Sequence, residues 1–348
     1  MLDAADDILV NVSGEVEPCR VYVGPDVSAP ISERALVVVD ARVARQHPDR
    51  VPAGPCLEIA GGEGAKTLAS VEVLWRFFAD HEADRRTMVV GVGGGTVTDL
   101  VGFAASTWLR GMPFGFVATT LLAQVDAALG GKNGINFLGF KNQVGLVRQP
   151  SFVTCDPAFL LSLSARDYVA GLAEVVKYAL IGSPGLLELL EDSVDALRDR
   201  DGGVLARVVR ASVAAKVAVV QADPYERGYR RVLNLGHTVG HAYEAVLGVN
   251  HGEAVAAGLI DACELSVRRG LLDPAVTVRL RRLLEALGLP GRLDAPSSAL
   301  SAALRRDKKR EVGQVFFVFL RGVGQPVVES VPLDFLDAYL DGSAGGGA

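Results

Sequence analysis

Three of the five histidines, His237, His241 and His251, lie close together in the sequence. The first two are four residues apart, so a helix would project both side chains from one face. A break at Gly248-Val-Asn250 would let a turn bring His251 back beside them. Converging imidazoles suit a divalent metal such as Zn²⁺, which needs a further N or O ligand and an open position for catalysis. The alternative is two histidines on a helix surface and a third at a helix N-terminus.

Glycine-rich turns mark a second candidate site earlier in the chain. Gly93-Gly-Gly-Thr-Val-Thr-Asp99 stands where an apolar run passes into a helical pattern, and a helix N-terminus offers free N–H groups to phosphate. Asp40 also follows an apolar run, where a carboxylate could bind a ribose hydroxyl. Gly61-Gly-Glu-Gly-Ala-Lys66 adds a loop with both charges. The spacing of the glycines is not GxGxxG, and each glycine-rich segment alone could be a tight turn without a ligand. Together, the two segments and Asp40 predict a nucleotide cofactor.

A third candidate site is a polar stretch that suits an anion. From Thr119 to Asn136, polar side chains are separated by small residues, and Lys141-Asn142 follows shortly afterwards. Lys132, Lys141 and Asn142 on a glycine-flexed loop suit a phosphate or a carboxylate. Arg110 could add to this anion site or lie on the surface. The alternative for the segment is a solvated basic loop, which would not need so many glycines.

The elements that must position these residues follow from the apolar pattern. In the first half, short apolar runs alternate with helical periodicity, and Ala35–Val39 is continuous, as in strands buried on both faces. Thr67 can cap a helix that runs to about His81. This alternation predicts a parallel sheet with helices on both faces. The predicted strands are Ile8–Val12, Arg20–Val23, Ala35–Val39, Met88–Val92, Phe114–Ala118 and Phe152–Cys155.

Helical spacing dominates after Pro157, interrupted by the strand pair Val315–Arg321 and Pro326–Glu329. We therefore predict an α/β domain, residues 1–160, followed by a mostly α-helical domain, residues 161–348, with a ligand cleft between them. The glycine-rich tail 342–348 is predicted to be disordered. The predicted helices are Ala165–Ile181, Pro184–Leu197, Val204–Gln221, Leu235–Leu247, Glu253–Arg269, Pro274–Leu287, Ser297–Arg305 and Leu333–Leu340.

Composition narrows the class of protein. With 348 residues, 49% hydrophobic and 22% charged, the chain is globular. A net charge of −6 argues against nucleic acid or an anionic membrane as the main partner, so an anionic small molecule would need a locally basic pocket. The four cysteines have no CxxC spacing, which is typical of reduced thiols in the cytoplasm. The acidic N-terminus lacks a signal-peptide layout, and no apolar run reaches membrane-spanning length.

Seven motifs stand in order along the chain: Gly93-Gly-Gly…Asp99, Thr119-Thr-Leu-Leu-Ala-Gln-Val-Asp126, Gly130-Gly-Lys132, Lys141-Asn142, Gly171-Leu-Ala-Glu174-Val-Val-Lys177, Asn234-Leu-Gly-His237-Thr-Val-Gly-His241 and His251-Gly-Glu253. Taken jointly, these motifs resemble the 3-dehydroquinate synthase family and, more broadly, the sugar phosphate cyclases. The resemblance implies an NAD-binding α/β domain, a helical domain that binds metal and substrate, and a homodimer. It runs in order from about Asp40 to the run that ends at Arg310.

The resemblance also implies roles for individual residues. Glu174, His237 and His251 would be the ligands of Zn²⁺ or Co²⁺, which leaves His241 as a substrate contact, whereas spacing alone would have made His241 a ligand. The groups that would meet the substrate phosphate are Lys132, Asn142, His241, Lys309 (favoured over Lys308) and Arg110 of the partner subunit. Other substrate contacts would be Lys216 and Arg230 at its carboxylate, and Asp126, Lys177 and Asn234 at its hydroxyls and ring. The NAD contacts would be Asp40, Glu63, Lys66, Gly94, Gly95, Asp99, Thr119 and Thr120.

The reaction implied by the resemblance begins with transient oxidation by NAD⁺ at carbon 5 of 3-deoxy-arabino-heptulosonate 7-phosphate. A proton beside an ordinary carbinol is too weakly acidic to remove, and a ketone at carbon 5 makes it acidic enough for phosphate to leave. Re-reduction, ring opening and intramolecular aldol closure then give 3-dehydroquinate. The cofactor is regenerated, so the enzyme would be a lyase of the shikimate pathway.

Two departures from the family pattern affect the substrate loop. Asn133 stands where Thr commonly follows Gly-Gly-Lys, and no Gly directly precedes Lys141. These changes leave an amino-dehydroquinate synthase or another cyclase of secondary metabolism as the first alternative. A metal-dependent alcohol or glycerol dehydrogenase would not need the basic cluster, which includes Lys216 and Arg230. A non-catalytic paralogue would be expected to lack a ligand or lysine.

Overall fold

The computed structural model describes residues 7–12, 18–32, 34–182, 184–307 and 314–341. The chain divides into two compact units. The first contains Met1–Tyr168 and Arg200–Tyr225, and the second contains Val169–Asp199 and Glu226–Ala348. Among the described residues, no helix is both long enough and apolar enough to cross a membrane.

The strands belong to one large sheet and two hairpins. Their bounds are β1 Ile8–Val10, β2 Cys19–Val23, β3 Leu36–Asp40, β4 Cys56–Ile59, β5 Val89–Gly93, β6 Phe114–Ala118, β7 Lys132–Phe137, β8 Phe140–Val147, β9 Phe152–Cys155, β10 Gln314–Leu320 and β11 Pro326–Pro332. The helices are α1 Ala41–Gln46, α2 Leu68–Asp80, α3 Gly95–Thr107, α4 Ala165–Gly182, α5 Pro184–Asp192, α6 Val194–Arg198, α7 Gly202–Ala222, α8 His237–Leu247, α9 His251–Arg268, α10 Pro274–Ala286, α11 Ser297–Asp307 and α12 Leu333–Leu340.

The sheet of the first unit has the order β1-β2-β9-β6-β5-β3-β4, and its strands pair in parallel apart from the antiparallel β1–β2 edge. Every residue of β3, β5, β6 and β9 is buried, as expected for strands covered on both faces. Val37, Val39, Val90 and Val92 form one side of this core together with Phe152. The carboxyl ends of these strands therefore lie along one edge, where the chain turns into helices.

Helix starts in the first unit follow the local capping rules. Thr67 caps α2 by accepting a hydrogen bond from the backbone N–H of Ser70, as its position before the apolar stripe predicts. Asp40 ends β3 and caps α1 in the same way through the N–H of Arg42. The helix after the triple glycine begins at Gly95, three residues before the predicted start at Thr98. The missing side chains at these glycines allow the early start.

The predicted flexible loop that carries Lys132 and Lys141 is instead the hairpin β7–β8. Phe137 pairs with Phe140, and the two loop residues Leu138 and Gly139 have φ of 50° and 81°. Positive φ at both loop residues is what a type I′ hairpin turn requires. The loop prediction was wrong because polar residues and glycines are uncommon in strands. Here the pairing of β7 with β8 stabilises both strands, and the local sequence pattern does not indicate that pairing.

The second unit is mostly helical, with the antiparallel hairpin β10–β11. The predicted helix Pro184–Leu197 is interrupted near Ser193 and forms α5 and α6. The helix α7 lies after residue 160 in the sequence, yet it clusters with the first unit. Its contacts there include a hydrogen bond from Arg210 to the carbonyl of Val23, which pairs residues 187 positions apart. The predicted disordered tail 342–348 lies outside the described residues.

Candidate active site

Glu174, His237 and His251 come together in the second unit. Each offers one ligand atom, and the three atoms lie within 4.8 Å of one another. The Nε2 atoms of His237 and His251 are 3.4 Å and 3.2 Å from Oε1 of Glu174. Glu174 is fully buried on α4, while the two histidines are the first residues of α8 and α9. Within the described part of the chain, this is the group whose geometry suits a metal ion.

The other nitrogen of each histidine faces an oxygen acceptor. Nδ1 of His237 is 3.1 Å from the carbonyl of Leu235, and Nδ1 of His251 is 3.4 Å from Oε2 of Glu244. A proton held on Nδ1 by such a partner leaves the lone pair of Nε2 available for a metal. Glu244 was missed from the sequence. It lies seven residues after His237, two helical turns along the same face of α8, so periodicity could have indicated it.

Charge around the three ligands is balanced by Lys177, one turn after Glu174 on α4. The two side chains form a buried ion pair, and Lys177 is 1% exposed. Burial opposes ionisation of Glu174, but Lys177 and His237 hold the pKa of its carboxyl well below the usual range. Burial lowers the pKa of His237 against the attraction of Glu174. Burial also acts to lower the pKa of His251, but hydrogen bonds to Glu174 and Glu244 outweigh it and raise that pKa to about 9.

Close helix packing brings the three ligands together. Gly252 lies against the backbone of Ala170, and a Cβ at this position would overlap the Ala170 carbonyl. The N-terminus of α9 can therefore approach α4 closely enough for His251 to reach Glu174. Gly236, which precedes α8, has φ of 77°, a conformation that favours glycine. Asn250 and Glu253 form a capping box that fixes the first turn of α9.

The donor set fits a divalent metal. Two imidazole nitrogens and one carboxylate are the ligand types that Zn²⁺ and Co²⁺ accept, and three protein ligands leave positions for substrate oxygens. His241 lies on the same face of α8, with its ring centroid 5.4 Å from that of His237 and 6.1 Å from that of His251. It is outside the group of three, in line with the role that the family resemblance implies for it.

In the first unit, the candidate cofactor residues surround the turn between β5 and α3. Gly94 precedes the helix, and a Cβ there would lie 2.8 Å from Cγ2 of Thr120. The backbone N–H of Thr119 donates to the carbonyl of Gly93, so the ends of β5 and β6 are joined. Gly95 opens α3, whose first N–H groups have no intrahelical partner and suit a phosphate.

Lys66 is the charged centre of this region. It is 3% exposed, its Nζ lies 2.6 Å from Oδ2 of Asp99, and it also contacts the side-chain oxygen of Asn142. Glu63 is further away, with 3.8 Å between its Oε1 and Nζ of Lys66. Burial raises the pKa of Asp99 to about 6 against the attraction of Lys66. Asp40 is 7% exposed. Its carboxylate caps α1 and also lies against Gly61, the first residue of the Gly61–Lys66 loop.

Asp126 and Lys216 form another charge pair in the first unit, in which Lys216 is buried and Asp126 is half-buried. Nζ of Lys216 on α7 contacts the side chain of Asp126 and lies 2.5 Å from its backbone carbonyl. Asp126 belongs to a π-helical turn, Ala123–Ala127, and such turns redirect side chains at functional sites. Lys216 is 5% exposed, so it does not lie on a solvated face of α7.

The remaining predicted anion contacts lie on the hairpin and at the end of α3. Lys132, Lys141 and Asn142 are exposed on β7 and β8. Arg110 is exposed, and it and Leu109 have φ of 65° and 50°, two consecutive left-handed residues without glycine. Strained backbone of this kind persists where the surrounding structure enforces it.

Asn133, the first departure from the family pattern, has a structural position. It is 5% exposed, and its amide donates to the carbonyls of Gly131 and Arg148. It also lies against Gly102 of α3, where a Cβ would overlap it. The side chain therefore joins the base of the hairpin to α3.

The second unit contains Arg230 and Asn234 in a 3-10 segment, Tyr229–Asn234. Arg230 is 2% exposed, so its side chain is not part of a solvated loop. Asn234 donates to Oε1 of Glu226 at 3.1 Å. Lys308 and Lys309 lie outside the described residues.

Two family models match the chain, 3-dehydroquinate synthase N-terminal over residues 56–170 and 3-dehydroquinate synthase C-terminal over residues 171–310. A 3-dehydroquinate synthase from Halorhodospira halophila is 44% identical over 89% of this chain and 91% of its own length. One from Thermobifida fusca is 40% identical over 94% of both chains. The chain belongs to the 3-dehydroquinate synthase family. The resemblance inferred from the motifs is confirmed.

Solved structures place the fold among the sugar phosphate cyclases related to this family. A 2-deoxy-scyllo-inosose synthase with carbaglucose-6-phosphate, NAD⁺ and Co²⁺ matches with a TM-score of 0.85 and 26% identity, over 96% of this chain and 99% of that one. The 2-epi-5-epi-valiolone synthase of Streptomyces hygroscopicus, with NAD⁺ and Zn²⁺, gives 0.86 and 28% over 97% and 99%. A probable glycerol dehydrogenase from Sinorhizobium meliloti, with 20% identity and a TM-score of 0.60 over 92% and 93% of the two chains, shares the fold alone. The predicted fold class is confirmed.

Proposed function

We propose that this chain is a 3-dehydroquinate synthase of the shikimate pathway, a lyase that depends on NAD and a divalent metal. It would convert 3-deoxy-arabino-heptulosonate 7-phosphate to 3-dehydroquinate and phosphate. The observation that carries the proposal is the convergence of Glu174, His237 and His251 in a chain 44% identical to a 3-dehydroquinate synthase over 89% of its length. Both sugar phosphate cyclase neighbours contain NAD⁺ and a divalent metal.

The metal would be held by Glu174, His237 and His251, with Zn²⁺ or Co²⁺ as the candidates. When bound, the metal polarises a substrate hydroxyl, and NAD accepts and later returns a hydride. Lys177, paired with Glu174, would contact a substrate hydroxyl from the same face of α4. Glu244 would orient His251 through Nδ1.

Cationic and amide side chains would bind the two anionic ends of the substrate. Donors aimed at a departing phosphate stabilise the charge that develops as its bond breaks. The proposed phosphate contacts are Lys132, Lys141, Asn142, His241, Lys309 and Arg110. Lys216 and Arg230 would bind the carboxylate, and their burial strengthens that interaction because water screens it less. Asp126 and Asn234 would meet hydroxyls or the ring.

The cofactor contacts are proposed at the carboxyl ends of β3, β5 and β6. The N-terminus of α3 at Gly94 and Gly95 would face the pyrophosphate, where helix N–H groups and the helix dipole favour negative charge. Asp40 would accept a hydrogen bond from a ribose hydroxyl. The other proposed contacts are Glu63, Lys66, Asp99, Thr119 and Thr120.

We also propose a homodimer in which Arg110 of one subunit serves the site of the other. The exposed position of Arg110 and its enforced left-handed backbone support this role. Mixing inactive Arg110→Ala subunits with inactive Glu174→Gln subunits should restore activity, because one site of each mixed dimer would be complete.

A direct assay tests the reaction. The purified protein with NAD⁺, Zn²⁺ or Co²⁺ and 3-deoxy-arabino-heptulosonate 7-phosphate should release phosphate without accumulating NADH, because the cofactor is regenerated in each turnover. Chelation should stop phosphate release, and added metal should restore it. Glucose 6-phosphate and sedoheptulose 7-phosphate, which lack the carboxylate, serve as comparison substrates.

Other outcomes would replace the proposal. Sustained NADH formation from simple alcohols would indicate a dehydrogenase. Preference for an amino-substituted heptulosonate would indicate an amino-dehydroquinate synthase. Binding of NAD⁺ without turnover of any of these compounds would indicate a non-catalytic paralogue.

A further inference from the structure

The side chain of Asn136 on β7 joins the hairpin to the cofactor loop. Its Nδ2 donates to Oε1 of Glu63 at 2.9 Å and to the Glu63 carbonyl at 3.3 Å. Its Oδ1 accepts from the backbone N–H of Asn142 at 2.9 Å, and its own N–H donates to the carbonyl of Lys66 at 2.8 Å. One residue thus contacts two proposed cofactor residues and one proposed phosphate contact.

The partners of Asn136 fix the orientation of its amide. The opposite orientation would place its oxygen against the Glu63 carboxylate and its NH₂ group against the N–H of Asn142, so both partners would be repelled. Only an amide supplies an acceptor to one side and a donor to the other at this spacing. Neither alanine nor a carboxylate reproduces both contacts.

Lys66 closes the network into a ring. Its Nζ contacts Asn142 and lies 2.6 Å from Asp99 and 3.8 Å from Glu63. Asn142 has φ of 52°, a left-handed conformation that asparagine adopts more readily than most residues. Its backbone N–H donates to Asn136, and its side-chain oxygen contacts Lys66. Any movement of the loop containing Glu63 and Lys66 therefore displaces Asn142.

We propose that Asn136 is a positioning residue that couples binding of the dinucleotide cofactor to binding of the substrate phosphate. The first ligand to bind would order the ring of Glu63, Lys66, Asp99, Asn136 and Asn142, so the second would lose less conformational entropy on binding. This inference rests on the proposed function, because that assigns Glu63, Lys66 and Asp99 to the cofactor and Asn142 to phosphate.

The coupling is measured by calorimetric titration of the full-length, metal-loaded and nucleotide-free protein. NAD⁺ affinity is determined with and without inorganic phosphate, and phosphate affinity with and without NAD⁺. Coupling free energy is reciprocal, so both pairs of titrations must give the same factor. We expect each ligand to tighten the other by about tenfold in the parent protein, within the usual range for coupled sites.

Substitutions at Asn136 separate coupling from simple structural support. Asn136→Ala should reduce the factor to below about two. Asn136→Asp keeps the acceptor for Asn142 but sets a second carboxylate against Glu63, so it should abolish the coupling as well. In the Glu63→Gln background, Asn136→Asp should regain most of it, because the glutamine amide can donate to the new carboxylate. Gln143→Ala, which removes an exposed amide on β8, is the matched control and should keep the parent factor.

The expected pattern is loss of coupling in both single variants at position 136 and recovery in the double variant. Coupling that is absent from the parent, is retained in Asn136→Ala, or is not recovered in the double variant relative to Asn136→Asp alone would overturn the inference. Failure of the proposed function is distinguishable, because it would show as missing phosphate release from the heptulosonate phosphate whatever the two binding titrations give.

Discussion

Glu174 is the residue on which the proposed metal site most depends, because its negative charge faces both the proposed metal position and the ammonium group of Lys177. Its carboxylate lies near both histidine Nε2 atoms and also pairs with Lys177, whose side chain is 2% exposed. A buried lysine without its counter-ion is costly, since the protein interior solvates charge poorly. Metal binding and stability are therefore linked through one side chain.

Replacing Glu174 by glutamine should affect both properties. Glu174→Gln keeps the side-chain volume but removes the charge, so bound Zn²⁺ after dialysis should fall at least about tenfold, as measured by metal analysis. The metal-free variant should lose roughly 3 kcal/mol of unfolding free energy in urea, because Lys177 stays buried after it has lost the negative charge of Glu174. The double variant Glu174→Gln/Lys177→Met should recover much of this stability but no metal binding. Equal stability of the two variants would contradict the argument.

At the scale of elements, the close approach of α9 to α4 decides whether His251 reaches Glu174. Gly252→Ala would place a methyl group on the carbonyl of Ala170 and push the N-terminus of α9 away. We expect a loss of about 1–3 kcal/mol from overpacking, measured by urea unfolding, together with weaker Zn²⁺ binding in a chelator competition. Gly185→Ala on α5 is the control, because a Cβ there meets no atom within 4 Å. Retained Zn²⁺ affinity in Gly252→Ala would show that this packing does not set the ligand geometry.

A half-buried acid, Asp261, joins α9 to α12, the last helix of the described residues. Asp261 accepts a hydrogen bond from the Tyr339 hydroxyl at 2.8 Å, and burial raises its pKa to about 6 despite that bond. The folded pKa lies above the ordinary value of 3.8, so this group's contribution to stability is full below about pH 4 and is lost as pH rises through about 6.

Asp261→Asn mimics the protonated acid at every pH. Its stability relative to the parent should therefore rise by about 1 kcal/mol between pH 5 and pH 7.5, measured by urea unfolding at each pH. Asp192→Asn, at an exposed position on α5, supplies the baseline. A relative stability of Asp261→Asn that stays flat or falls over this range would contradict the predicted sign.

The sequence predicted those elements whose signals are local and strong. Phe114–Ala118, Phe152–Cys155 and Leu333–Leu340 have the predicted bounds because continuous apolar runs or clear periodicity end at turn residues. The strand Cys56–Ile59 was missed, since it is short and its residues alternate between exposed and half-buried. The β7–β8 hairpin was missed because its polar residues and glycines are typical of a loop.

The candidate site shows the same division between local and distant signals. The spacing of His237 and His241 predicted a shared helix face, which the structure has, but spacing cannot show that Glu174 lies beside them from 63 positions earlier. That ligand came from the family resemblance. The contact of Asn136 with Glu63, 73 positions apart, had no sequence signal at all, because amide contacts between distant loops leave no periodicity.

At the scale of the whole molecule, the two proposed ligands belong to different units. The three proposed metal ligands lie in the second unit, whereas every proposed NAD contact lies in the first. Zn²⁺ should therefore slow amide hydrogen exchange mainly in α4, α8 and α9, and NAD⁺ mainly around β5, α3 and the Glu63–Lys66 loop, because each ligand stabilises what it binds. Hydrogen exchange followed by mass spectrometry checks this. Protection by Zn²⁺ centred on α3 would contradict the assignment of ligands.

Each of the two units is made of two separate stretches of the sequence, and this order affects how the protein folds during synthesis. Residues 200–225 complete the first unit, and they include Lys216, the partner of Asp126. A ribosome must therefore release part of the second unit, Val169–Asp199, before the first unit has all its residues. Domains usually fold one after another as they emerge, starting from the N-terminus. Here neither unit can be produced by truncating the gene at a single point, and Val169–Asp199 leaves the ribosome before the rest of its own unit, which begins at Glu226.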